Sequence, residues 1–207
     1  MAQARLTAEL TALLGAWHAE PSTVDRVAAD IVDRYREPHR RYHTLDHVDD
    51  ALSVAHDVGA DDVVVLAVWF HDVVYDATAT DSEARSALFA RDTLSALGAP
   101  PDIVDEVARL VLTTVTHDPV DGDVRATQLA DADLAVLGAA PERYARYVDD
   151  VRSEYAHVDD DAWRAGRAAV LATFLARDRL YHDDRLRDRL EQRARDNLRT
   201  ELAALSP

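Results

Sequence analysis

Trp69-Phe70-His71-Asp72-Val73-Val74-Tyr75-Asp76 is the stretch on which the reading of this chain turns. It closes the most apolar run in the sequence, Val63 to Phe70, and sets an imidazole beside a carboxylate where that run stops. Parts of Val63 to Val68 are β-branched enough for a strand. The run continues through Ala67 and Trp69, however, and opens on Asp61-Asp62, acids suited to a helix N-terminus. The pattern therefore predicts a buried helix. A His-Asp pair at the end of such a helix is costly unless both groups are satisfied. A divalent metal satisfies both, because neutral imidazole and carboxylate are common ligands of Zn, Mn, Fe and Co.

Outward from this stretch, apolar residues recur at helical spacing and no segment alternates with period two, so the predicted fold is all-α. The helices expected are 4–18, 24–35, one from an N-cap at Thr44 to about Val58, the central run, 81–97, 103–116, 126–137, 141–157, 161–179 and 184–205. In the 81–97 helix, Ala84, Ala87, Leu88, Leu94 and Leu97 are expected to face inward. Only 6 glycines and 7 prolines in 207 residues agree with helix over a strand-and-turn architecture. The length suits a single domain over 1–207, with a metal-binding core at about 40–140 and helices of 141–205 packing on it. Leu186, Leu190, Leu198, Leu202 and Leu205 suit either that core or a second copy of the chain, so a homo-oligomer stays open.

A net charge of −16 argues against nucleic-acid polymers and anionic membrane surfaces as general partners, since both need a basic footprint. The longest apolar run has eight residues, too short to span a bilayer, and the N-terminal stretch has no apolar signal-like region. A cytoplasmic location is expected. With no cysteine, any metal must be held by His, Asp and Glu.

Three further pieces could complete such a site. His47 follows His43 by four residues, so the two share a face if both are helical; with Thr44 as the cap, His43 sits just before the helix, near the same pocket. Leu129-Ala130-Asp131-Ala132-Asp133-Leu134 puts two acids into an otherwise apolar helix. Ala130, Asp133, Leu134 and Leu137 share the apolar face, which favours Asp133 as a ligand. Asp131, on a more polar face with Thr127 and Gln128, is the alternative. Arg40, Arg41, Arg85 and Arg152 suit phosphate recognition, because guanidinium makes bidentate contacts to phosphate, although Arg152 could equally pair with a neighbouring acid.

The order His47, His71-Asp72, then Asp133 or Asp131, resembles the HD superfamily of metal-dependent phosphohydrolases, closest to a bacterial branch of predicted members. The similar segments are Tyr42-His43-Thr44-Leu45-Asp46-His47, Trp69 to Asp76, Glu83-Ala84-Arg85-Ser86, Asp131 to Leu134, Arg152-Ser153-Glu154-Tyr155 and Ala194 to Leu198. The resemblance implies a helical bundle whose divalent ion (Mn, Zn, Fe, Co, Ni or Mg) is held by His47, His71, Asp72 and Asp133 or Asp131. The implied activity is hydrolysis of small phosphate esters, nucleotides among them, by a metal-activated water. Catalytic work would fall to His43, Asp72, His117 and Glu83.

The Tyr-His-x-x-x-His segment also resembles cyclic-nucleotide phosphodiesterases of the same superfamily, which makes His43 a candidate general acid. Likeness to two-metal members makes His117 a second-site ligand or substrate contact, or else a helix C-cap. Glu83 and Asp76 would orient water or a second metal, or else cap the 81–97 helix and close the loop before it. Two other functions are compatible with the same shell: a di-iron oxygenase drawing extra ligands from His43, Glu83 and His117, and a non-catalytic module stapled by metal.

Overall fold

All regular structure in residues 2–205, which the computed structural model describes, is helical, as the sequence predicts. Met1, Ser206 and Pro207, the ends of the domain expected over 1–207, lie outside the described residues. The elements are α1 (Ala2–Leu14), α2 (Pro21–Arg34), α3 (Leu45–Asp57), α4 (Asp62–Phe70), α5 (Ser82–Ala96), α6 (Pro101–Thr113), α7 (Val124–Asp133), α8 (Pro141–Glu154), α9 (Asp160–Leu175) and α10 (Asp184–Leu205). Short 3-10 turns, Gly15–Trp17 and Leu134–Gly138, follow α1 and α7. No helix among the described residues is long and apolar enough to cross a membrane.

The run Val63–Phe70 forms the central helix, α4. Asp61 caps it, its carboxylate accepting from the backbone N–H groups of Val63 and Val64 at 3.1 Å. Every residue from Val63 to Phe70 is buried, which is why the helix is apolar on all sides rather than along one stripe. It packs against α1, α3, α5, α6 and α7. Burial from all directions overrides the β-branched preference of its valines. Thr44 stands at the N-cap of α3 in extended conformation, but its hydroxyl bonds back to the Tyr42 carbonyl and not to the helix.

The expected inward face of α5 is corrected. Ala84 and Leu88 point outward, Leu88 being 57% exposed, and the helix buries Ser86, Ala87, Ala90 and Leu94. That small-residue face packs closely on α6, the most extensive helix pairing in the molecule. Leucine at 88 gives an apolar stripe on paper, yet among the described residues no element buries that side of α5.

A second core gathers Tyr42, Leu134, Leu137, Tyr144, Tyr147, Val151, Leu171, Tyr181, Leu186, Leu190 and Leu198. The leucines of α10 thus pack within the chain, with Leu202 and Leu205 partly buried against the same cluster. Gly138 lets α10 come close, since a Cβ there would lie 2.7 Å from the Cβ of Leu190. Asn197 ties the same contact by donating to the carbonyls of Leu137 and Ala139 at 2.8 and 3.0 Å.

Candidate metal centre and its cleft

The end of α4, the first turn of α3 and the last residue of α7 meet at one point. His47 Nε2 lies 3.0 Å from His71 Nε2 and 3.2 Å from Asp133 Oδ1. Asp72 Oδ2 lies 3.0 Å from His71 Nε2 and 3.7 Å from His47 Nε2, and His71 Nε2 is 3.6 Å from Asp133 Oδ1. His71 Nδ1–H donates to the Val68 carbonyl at 2.7 Å, which turns the lone pair of Nε2 toward the cluster. At most one of two imidazole nitrogens facing each other can carry a proton. The donor set fits a divalent ion: bonds of about 2.0–2.2 Å put neighbouring ligand atoms about 3.0 Å apart at right angles and about 3.4 Å apart in a tetrahedron. His47, His71 and Asp133 would hold it, with Asp72 beside them. Nitrogen and oxygen donors without sulfur suit several first-row ions alike.

The electrostatics favour a cation at this point. Burial opposes ionisation of Asp72 and Asp133, but His71 outweighs it and keeps both carboxyls below the usual carboxylate range. Burial likewise works against a charged His71, and Asp72 and Asp133 push its pKa well up. Two carboxylates in one buried pocket draw positive charge, whether a proton or a metal ion.

His43 sits beside this cluster in the bend before α3, its Nε2 3.9 Å from Asp72 Oδ2. Its Nδ1–H donates to Glu154 Oε2 at 2.6 Å, and its ring stacks on Tyr75 at 4.0 Å. Glu154, buried at the end of α8, also accepts from the backbone N–H groups of Arg41, Tyr42 and His43 and from the Tyr75 hydroxyl. Burial raises the Glu154 carboxyl, but the bond and charge of His43 and the backbone donors bring it down to about 2. For His43, burial works against the imidazolium; Asp72 and Glu154 overcome it and raise its pKa.

His117 follows α6 in a left-handed conformation, φ 49°, its N–H bonded to the Thr113 carbonyl. It closes the helix with its backbone, while Nε2–H donates to Asp133 Oδ2 at 2.6 Å. Asp133 thus faces His47 and His71 with one oxygen and His117 with the other.

The structure places the other candidates away from this point. Asp131 lies two residues from Asp133, about 200° around the helix, and faces away from the centre. Fully buried, it accepts from the backbone N–H groups of His182 and Asp183 at 2.7–3.0 Å and so holds the approach to α10. Its expected polar face is in fact an interior one. Arg40 is buried too, and donates to Glu37 and to the carbonyls of His43, Asp72 and Val73 while stacking near Tyr35 and Tyr75. It fixes the backbone under the site and is not turned toward a substrate. Arg41 donates to the carbonyls of Pro38 and Arg40, and Arg152 clamps the α8–α9 turn through Tyr155, Val158 and Asp160. Arg85 lines a separate, smaller hollow.

A cleft of about 1140 Å³ opens onto the centre, lined by His43, Asp72, His117 and Asp133, by Thr114 to Asp118, and by one face of α9. Asp76 and Glu83 also line it, and Asp76 closes its own loop through Thr78. The arginines that reach this cleft are Arg167 and Arg177. Arg177 donates to the carbonyls of Thr116 and His117, both at 2.6 Å, and ion-pairs with no carboxylate among the described residues. Arg177 was not singled out from the sequence, and Glu154 stood only within the Arg152-to-Tyr155 segment with no role assigned. For Glu154 a signal existed: Tyr144, Tyr147, Val151 and Glu154 share one helix face, and a carboxylate on an apolar face needs a partner. Comparison with protein-family models, with curated proteins and with solved structures finds no match to this chain.

Proposed function

We propose that the protein is a divalent-metal-dependent hydrolase of small phosphate esters, nucleotides among them, of the HD type. The observation that carries this reading is the meeting of His47, His71, Asp72 and Asp133 at the floor of an open cleft, with donor atoms 3.0–3.7 Å apart. A divalent ion bound there supplies Lewis acidity and lowers the pKa of water toward neutrality. His43, held at Nδ1 by Glu154, lines the cleft and is the group that gives a proton to the departing oxygen. Its raised pKa favours the protonated form for that task. His117 fixes the orientation of Asp133, and the guanidinium of Arg177 attracts the phosphoryl charge.

The test pairs metal analysis with turnover. Wild type, His71→Ala and Asp72→Ala are assayed for bound metal and against a panel of phosphorylated metabolites with Mn, Co, Ni, Zn, Mg and Fe. The variants should lose bound metal and about 100-fold or more in rate. Wild type that binds no divalent metal, or variants with full phosphatase activity, would refute the reading.

A further inference from the structure

Beyond the centre, the cleft carries groups that the phosphate chemistry does not use. Trp163, Gly166, Arg167, Val170 and Phe174 line it from one face of α9. Arg167 is only 8% exposed and is ion-paired with Glu201 through Nε at 2.7 Å and Nη2 at 3.1 Å, Nη2 also reaching the Tyr147 hydroxyl. Its Nη1 has no protein partner among the described residues. Arg167 lines the cleft, so this nitrogen is free to donate to an acceptor bound there. Glu201 already balances the charge, which favours a neutral acceptor over a second anion. Asp76, Glu83 and Asp118 around the same cleft disfavour additional phosphates as well.

Gly166 makes a second, independent point. A glycine within a 16-residue helix weakens it, and nothing lies within 4 Å of the position its Cβ would occupy. Close packing therefore does not require it. It leaves a bare patch of backbone beside Trp163, where a flat group can lie. An aromatic floor links this patch to the centre: the Tyr42 ring is 4.8 Å from that of His47 and 4.7 Å from that of Tyr147, over which Arg167 sits at 5.2 Å.

We infer that the α9 wall is a subsite for the leaving-group half of the substrate, a planar aromatic ring bearing a neutral hydrogen-bond acceptor. The assignment rests on the hydrolase reading and narrows it to monophosphate esters of ring-bearing alcohols, as against short aliphatic phosphates or polyphosphates.

Umbelliferone, a fluorescent ring alcohol with a carbonyl acceptor, probes the subsite without any turnover. Fluorescence titration of the protein as purified is compared for wild type, Gly166→Leu and Val170→Trp, which fill the wall from two positions, with circular dichroism to confirm folding. Wild type should bind, and both variants should bind about tenfold more weakly or worse. In turnover, wild type should prefer umbelliferyl phosphate to glycerol phosphate by about tenfold in kcat/KM, with the ratio falling in the variants. Umbelliferone binding that is absent from wild type, or equal in all three proteins, overturns the subsite. Binding that the variants weaken, without hydrolysis of any phosphate ester, supports the subsite and refutes the hydrolase reading. Equal turnover of the two esters in all three proteins overturns the subsite and leaves the hydrolase intact.

Discussion

Replacing Glu154 by glutamine removes one charge while keeping the shape of the side chain, and its consequences follow from five bonds. Oε1 accepts from the N–H groups of Arg41, Tyr42 and His43 at 2.7, 2.9 and 3.1 Å, and a glutamine carbonyl can retain these. Oε2 accepts from His43 Nδ1 at 2.6 Å and from the Tyr75 hydroxyl at 2.9 Å; an amide nitrogen there faces two donors. Two bonds to a charged group at about 1.5–3 kcal/mol each, less what Tyr75 and His43 recover by reorienting, leave a loss of about 3 kcal/mol. The titration leads to the same figure: a carboxyl held at about 2 against an ordinary 4.5 is worth about 3 kcal/mol. Because the folded-state pKa is the lower one, this stability is fully present above pH 4.5 and is lost as pH falls toward 2.

Urea denaturation of wild type and Glu154→Gln should therefore differ by about 3 kcal/mol at neutral pH and by less than half of that near pH 3. Asp72 and Asp133 titrate in both proteins, so the difference reports Glu154 together with the His43 imidazole paired with it. A gap below about 1 kcal/mol at neutral pH, or one that stays constant into acid, would refute the role assigned to this carboxylate.

The two acids of α7 should separate cleanly. Asp131→Asn should cost about 1–3 kcal/mol in urea denaturation and keep its metal, while Asp133→Asn should lose the metal; the reverse pattern in metal analysis would exchange their roles. Arg40→Lys cannot reproduce the bonds to Glu37, His43, Asp72 and Val73, and should lower stability by about 2–4 kcal/mol. Unchanged thermal stability with a raised KM for a phosphate ester would return Arg40 to substrate binding.

Arg40 illustrates why residue chemistry alone misleads. A guanidinium suits a phosphate, but the same fork of donors suits a set of backbone carbonyls, and only the fold determines which it meets. Leu88 is a parallel case, since an apolar stripe is buried only if another element covers it. Glu154 was legible in principle by the reasoning that selected Asp133, but its partners lie 79 to 113 residues earlier in the chain.

The sequence by itself determined the all-helical class, the central buried helix, the exclusion of thiolate ligands and the candidate histidines and carboxylates. These follow from period, caps and composition, which act over a few residues. Only the tertiary structure separated Asp131 from Asp133, withdrew four arginines from the cleft and supplied Arg167 and Arg177 in their place. Those outcomes depend on which helix faces which, and a side chain's partner across the core is set by packing rather than by its neighbours in sequence.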